Sequence, residues 1–236
     1  MGAGVERGET YAFAHAHGLM VVVGNYPNVG IAGGYIQCGG ISILSSKLGL
    51  AADQVLSWEV ITASGDLATA NPTEDEEFFW ALRDEGGSIY GVVVSMRIKA
   101  FPNTFFSYLC QHLFNVAQAV SFPDEVAANP YLRETTFSAV IRASINYTDW
   151  AANKATQDKI TYDLSPALRS ITPNGGGYLN EADFQAPGFQ TTFYGDHYEQ
   201  LLATKQKYDP DDIFYTKTAV GSDRREQHVD GRLCTT

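Results

Sequence analysis

Basic charge is scarce in these 236 residues. Lys and Arg number 16 against 27 Asp and Glu, a formal net charge of −11. Affinity for a phosphate backbone comes from Lys and Arg, so this balance excludes a nucleic-acid binder. It equally excludes adhesion to an anionic membrane surface. Cysteine is sparse as well: Cys38, Cys110 and Cys234 are far apart and form no Cys-x-x-Cys pair. That supports neither a zinc site nor a thioredoxin-type motif. Long apolar runs are missing, since residues 19–23 fall far short of the ~20 that a spanning helix needs. The opening Met-Gly-Ala-Gly-Val-Glu does not read as a signal peptide, and Glu6 breaks the myristoylation pattern. Localisation stays open on these grounds. Neither a phosphate-binding G-x-x-x-x-G-K-[ST] loop nor a G-x-S-x-G elbow occurs. His15 and His17 stand two apart in a helical stretch, so their rings face different ways and read as surface residues, not as a metal pair. No metal site is expected.

Glycine, by contrast, is plentiful. There are 22, against roughly 17 at typical usage. They cluster at Gly30, Gly33, Gly34, Gly39 and Gly40, at Gly86, Gly87 and Gly91, and at Gly175 to Gly177. A glycine-rich loop after a short strand lets backbone N–H groups approach a ligand closely. Successive N–H groups of this kind make a concavity for anions, and a pyrophosphate can be held so without Lys or Arg. Spacing alone favours the plainer reading, that these glycines make tight turns.

Periodicity predicts a mixed α+β chain. A helix is expected over about 6–17, stopped by Gly18, then a short strand at 19–23. Residues 24–40 contain Pro27 and read as loop, and 45–52 as a helical turn. A strand at 55–62 should turn at Ser64-Gly65 and return over 66–70. Thr73 and Glu76 fit a capping box for the following helix, which carries Phe78, Phe79 and Leu82 on one side and ends at Gly86-Gly87. Alternation over 92–99 predicts a half-buried strand. Residues 137–147 read as a further strand. A helix is expected over 151–171, kinked at Pro166, with Ile160, Leu164, Leu168 and Ile171 on its buried face. A last helix begins near Asp196 and Glu199, buries Leu201 and Leu202, and stops before Asp209-Pro210. The tail, 224–236, reads as peripheral.

At the glycine clusters the sequence resembles a known family. "HGLMVVVGNYPNVGIAGGYIQCGGISILSSKLGLAADQVLSWEVITASGDL" is similar to the flavin-binding core of FAD-linked oxidases of the berberine bridge enzyme type, within the vanillyl-alcohol oxidase superfamily. "NPTEDEEFFWALRDEGGSIYGVVVSMRIKAFP" continues the match. "NGGGYLNEADF" and "KYDPDDIFYTKTAVGSDRREQHVDGRLC" resemble the C-terminal signature of fungal members. The resemblance runs from residue 1 to about 102 and resumes from about 172 to 234.

The resemblance implies an α+β fold: a partial PCMH-type FAD-binding domain with a reduced antiparallel-sheet substrate domain. Its parts would be 1–102 (second half of the FAD domain), 103–177 (substrate domain) and 178–236 (return to the FAD domain). Pro27, Val29, Gly30, Gly33 and Gly34 would line the flavin and pyrophosphate, with Gly39 and Gly40 in the same cradle. Gly49, Leu50 and Asp53 would lie near the nucleotide, and Gly91, Val92 and Val93 would offer backbone contacts to its adenine half. The implied reaction is oxidation of a small organic substrate, such as an alcohol, a sugar or a secondary metabolite, by hydride transfer to FAD, with O2 as electron acceptor. Tyr178, in Tyr-Leu-Asn, is the candidate base and Asn180 would orient it. A strand tyrosine with a satisfied hydroxyl is the competing reading.

The sequence also departs from the family pattern. The family's Arg-Ser-Gly-Gly-His loop, which holds the pyrophosphate and a covalent flavin link, precedes the part matched here. Tyr26 stands where many relatives have a second linking cysteine, so the implied FAD is non-covalent. Cys38 replaces a glycine and Ile41 a common histidine. Asp84 and Glu85 replace glycines where like charge would disfavour a phosphate. These departures keep two alternatives open: a flavin-poor relative without oxidase activity, and a non-redox cyclase on the same scaffold.

Overall fold

The computed structural model describes residues 1–83, 88–103, 125–228 and 231–235. Helix α1 (Arg7–Ala16) opens the chain. The Glu9 carboxylate reaches back to accept from the Glu6 N–H at 3.0 Å, satisfying a donor that a helix start leaves orphaned. Gly18, at φ +67°, ends the turn. Strand β1 (Leu19–Met20) is shorter than expected, because its one partner is a two-residue strand near Pro102. Val21, Val22 and Val23 still enter the core.

Helix α2 (Ser45–Leu48) leads into the central sheet, made of β2 (Val55–Thr62), β3 (Leu67–Ala70) and β4 (Gly91–Ile98). The order is β3-β2-β4, all antiparallel, with Trp58 opposite Ala70 on one side and Met96 on the other. The period-2 pattern sets the faces: Trp58, Val60, Val93 and Met96 are buried, whereas Leu56, Val92 and Val94 are exposed. The Ser64-Gly65 turn forms as expected, with the Thr62 N–H on the Asp66 carbonyl at 2.9 Å. Helix α3 (Glu76–Ala81) buries Phe78, Phe79 and Trp80. Its expected capping box does not form. Asn71 Oδ1 takes both the Thr73 N–H (2.9 Å) and hydroxyl (3.0 Å), and Asp75 turns left-handed at φ +49° to start the helix. A local side-chain bond has out-competed the cap. The expected stop at Gly86-Gly87, and Asp84 and Glu85 before it, lie outside the described residues.

Strand β5 (Phe101–Pro102) pairs with β1, and the short helix α4 (Tyr131–Glu134) follows. Residues 137–147 carry no strand, and most of them lie exposed. Phe137 makes a single β-bridge, but among the described residues no strand pairs with this stretch, so its β-propensity alone does not build one. Helices α5 (Trp150–Lys159) and α6 (Ser165–Ile171) flank a wide turn at Ile160–Leu164. The irregularity thus sits one turn before Pro166, where proline's missing N–H loosens the ladder. The expected buried face is not covered: Leu168 is 41 % and Ile171 75 % exposed.

The C-terminal part returns to the first. Helix α7 (Phe189–Tyr194) precedes α8 (Tyr198–Tyr208), and α8 packs on α3. The Tyr208 ring stacks on Phe78 at 4.2 Å, and the Tyr90 hydroxyl donates to the Leu201 carbonyl at 2.7 Å. The Lys205 ammonium is buried against Asp209 and donates to the Phe214 carbonyl at 2.6 Å. Asp209 in turn accepts from the Ile213 and Phe214 amides at 2.9 Å each, which fixes the stop after α8. Strands β6 (Arg225–Gln227) and β7 (Leu233–Thr235) form a closing hairpin.

Candidate functional site

The site joins two segments far apart in sequence. The first is 24–40, expected as loop. Instead Ile31–Tyr35 is helical on either side of a kink at Gly33, whose φ of −84° and ψ of −133° are not helical. Ile31, Ala32, Tyr35 and Ile36 are all buried, a helical spacing that outweighs the poor helix propensity of Gly33 and Gly34. The two glycines face outward. That spacing is present in the sequence, but the glycines mask it.

Tyr35 is the keystone of this turn. Its ring passes between two glycines: a Cβ on Gly24 would lie 3.0 Å from it and one on Gly40 3.2 Å. Its hydroxyl donates to the Ile41 carbonyl at 3.0 Å. Burial, reinforced by the neighbouring Tyr178, pushes this hydroxyl well above the usual tyrosine range, so it stays protonated and keeps donating. The bond anchors residue 41 at its carbonyl, and the Ile41 N–H, on the preceding peptide, donates to the Tyr178 hydroxyl oxygen at 3.3 Å.

The second segment supplies Tyr178 and Asn180. The Asn180 amide donates to the Tyr178 oxygen at 2.7 Å and to the Tyr35 carbonyl at 3.4 Å. Two N–H groups therefore converge on one phenol oxygen. That arrangement stabilises negative charge on it. The Tyr178 ring leans on a small apolar cluster of Leu50, Val126, Ala128 and Leu132, with Ile41 beside it. Nothing local in the sequence marks Tyr35 as a site residue, and Ile41 stands out only as a departure from the family pattern.

The other expected residues spread around this centre. Residues 27–31 are stitched to the first turn of α1: the Pro27 carbonyl accepts from Gly8 N–H at 2.8 Å and that of Val29 from Arg7 N–H at 2.9 Å. A Cβ built on Gly30 or Gly33 meets nothing within 4 Å, and one on Gly34 meets only Asn180 Oδ1, at 3.6 Å. Gly39 and Gly40 are packed differently. Their carbonyls accept from Ala52 and Ala51 N–H at 2.9 Å, and a Cβ on Gly40 would stand 2.7 Å from the Ala51 Cβ. Gly49 closes α2 at φ +85°. Asp53 accepts from Leu50 N–H at 2.7 Å and holds Arg133 in a bidentate pair, both contacts at 2.7 Å. Nearby, burial pulls the Arg83 guanidinium down to about 10, with Asp53 and Glu125 opposing the shift. Gly91, Val92 and Val93 begin β4, where a Cβ on Gly91 would strike the Ile61 carbonyl at 2.6 Å. Tyr26 is 72 % exposed and Cys38 is buried. Among the described residues no group of His, Cys, Asp or Glu forms a metal cluster, and no helix is long and apolar enough to cross a membrane.

This architecture defines the class. The chain has the α+β fold of the vanillyl-alcohol oxidase-type FAD-binding proteins. It superposes over its whole length, at TM-score 0.85 and 25% identity, on 69% of the VAO-type flavoprotein MtVAO615 of Myceliophthora thermophila C1. Sequence narrows the class further. The family model "Berberine and berberine like" matches residues 177–221, the stretch that carries Tyr178 and Asn180. FAD-linked oxidoreductase sor8 of Hypocrea jecorina is 30% identical over 99% of this chain and 64% of its own length. FAD-linked oxidoreductase patO of Aspergillus clavatus is likewise 30% identical, over 99% of this chain and 65% of its own. By sequence and fold together, the chain is similar to the berberine bridge enzyme-like, FAD-linked oxidoreductases of fungi. It spans slightly less than two thirds of the length of these curated relatives. The first alignment runs over 369 positions, more than this chain has, so that relative carries residues inside the matched span with no counterpart here.

Proposed function

We propose that the chain is an FAD-dependent oxidoreductase that oxidises a small organic substrate, with Tyr178 as base. The observation that carries this is the cluster of Gly34, Tyr35, Tyr178 and Asn180. The residues fit the cofactor. Glycine at 30 is not demanded by the chain's own packing, since its backbone is ordinary extended chain and a Cβ there touches nothing, whereas Gly33 sits at a kink in the turn. What it leaves is a backbone surface free of side chains, next to two polar groups, where a flat ring system can lie. Gly30, Gly33, Gly34 and the backbone of 27–29 would hold FAD non-covalently. Gly39, Gly40, Gly49 and Asp53 would act by shaping the supporting layer. Residues 1–102 and 178–236 would then form the cofactor-binding part and 103–177 the substrate side.

Bound FAD would supply a two-electron acceptor that takes a hydride and is reoxidised by O2. The protein's part is proton handling. As the phenolate, which the two N–H donors stabilise, the Tyr178 oxygen takes the proton of the substrate hydroxyl and becomes the neutral phenol as the C–H bond is lost. Asn180 and the Ile41 N–H hold that oxygen in place and steady the charge it carries. Tyr35 anchors residue 41 at its carbonyl.

The test uses the whole chain with added FAD, read by flavin absorbance, by the melting-temperature increment FAD confers, and by O2 consumption over a panel of alcohols and sugars. Tyr178→Phe should keep the FAD increment and lose about 10²–10⁴-fold in turnover. Neither flavin absorbance nor an FAD increment in the wild type would sink the flavin reading. Turnover within threefold of wild type in Tyr178→Phe would remove Tyr178 from the base role.

A further inference from the structure

A second pocket lies under the closing hairpin. It has a volume of about 210 Å³ and shares no lining residue with the Tyr178–Asn180 cluster. Phe184, Phe189 and Leu233 supply its apolar wall; Lys217, Arg225 and Ser222 its polar one. Among the described residues the lining includes no carboxylate, although the chain carries 27 Asp and Glu against 16 Lys and Arg.

Among the described residues the two cations here have no carboxylate partner. Asp212 sits close by, but its carboxylate is taken by Arg224 at 2.7 Å. Arg225 obtains only the Asp212 backbone carbonyl, at 3.0 Å, and lies 3.8 Å over the Tyr215 ring. The Lys217 ammonium rests 5.0 Å over the Phe184 ring. Among the described residues neither forms an ion pair. Ring faces position a cation without neutralising it. Between them Thr218, a β-branched residue, is held left-handed at φ +56°, with its carbonyl accepting from the Tyr194 hydroxyl at 2.9 Å. Such backbone outliers gather at ligand clamps.

We propose that this pocket binds a small amphipathic anion, an aryl carboxylate, with its carboxylate between Lys217 and Arg225 and its ring against Phe184, Phe189 and Leu233. The volume suits a single ring, since apolar cavities of about 150 Å³ accept benzene. A guanidinium and an ammonium beside apolar side chains select charge and ring together.

The probe is benzoate, titrated into the whole chain by calorimetry, with benzamide as the neutral isostere and inorganic phosphate as the ringless anion. Benzoate should bind saturably, with benzamide and phosphate each at least about tenfold weaker. Lys217→Gln and Arg225→Gln should each weaken benzoate about tenfold, with flavin absorbance unchanged. Absence of saturable benzoate binding overturns the proposal. So does benzamide or phosphate binding as tightly as benzoate, or undiminished benzoate binding in both variants. The three-ligand comparison on the wild type decides the matter even if a variant fails to fold.

Discussion

Asp53→Asn should destabilise the fold sharply, and Arg133→Met should rescue it. The Asp53 and Arg133 side chains are 9 % and 7 % exposed, and Asp53 takes three N–H donors at 2.7 Å, one from Leu50 and two from Arg133. Asparagine offers one acceptor oxygen and turns an N–H group toward the guanidinium. Arg133, whose Nε already has no hydrogen-bond partner, would then be a buried charge without a counter-charge. Removing one member of such a pair costs about 3–5 kcal/mol. For a chain of this size that is a melting-point drop of about 6–20 °C. Replacing both charges is far milder, because the desolvation cost disappears along with the attraction. The double variant should therefore recover at least about half of the loss, a coupling well above 1 kcal/mol. Thermal and urea unfolding by circular dichroism would measure it. A single-variant loss below about 1 kcal/mol, or no rescue in the double variant, refutes the reasoning. The same samples, melted with and without FAD, test whether Asp53 also touches the cofactor. Equal FAD increments mean that it supports the fold; a vanished increment in a folded Asp53→Asn means that it contacts the ligand.

Further outcomes follow from single sites. Gly30→Ala should leave stability within about 1 kcal/mol, since its φ of −64° suits alanine and the new Cβ has open space, yet it should reduce the FAD increment. Gly40→Ala should cost about 1–3 kcal/mol in melts without FAD, because its φ is +75° and its Cβ would press on Ala51. A Gly30→Ala variant that binds FAD like the wild type would remove that strip from the cradle. For Asp209, burial works to raise the carboxyl, but the bonds from Lys205 and from the Phe214 and Ile213 amides outweigh it and hold it below the usual 3.8. A carboxylate lowered on folding contributes its full stabilisation above the unfolded value and loses it as pH falls through the folded one. Stability should thus be level in this contribution above about pH 5 and decline below pH 4. A carboxyl-carbon NMR titration of Asp209 with its midpoint at or above 3.8 would contradict this.

Much was settled within short stretches of sequence. Strands β2, β3 and β4 were legible because alternation and the Ser64-Gly65 turn act between neighbours. Helices α1 and α8 were legible because their ends are punctuated by Gly18 and Asp209-Pro210. The glycine clusters and the Tyr-Leu-Asn triplet carried the family resemblance. Local rules failed where a distant partner decided. Residues 137–147 have strand propensity and, among the described residues, no strand to pair with. The apolar face at 160–171 has helical spacing, yet Leu164, Leu168 and Ile171 stay exposed. Residues 31–35 wind into a turn because Ile31, Ala32 and Tyr35 find a core. The site itself depends on bonds between residues 137 and 145 apart in sequence, from Ile41 to Tyr178 and from Asn180 to Tyr35. The sequence by itself determined which residue types were available, how the short-range turns close, and the scaffold to which they belong. Only the tertiary structure decided which glycines lie open and which are packed, and which donors converge on the Tyr178 oxygen. Hydrogen bonds and burial act through space, over a few ångströms, between residues that sequence spacing leaves unrelated.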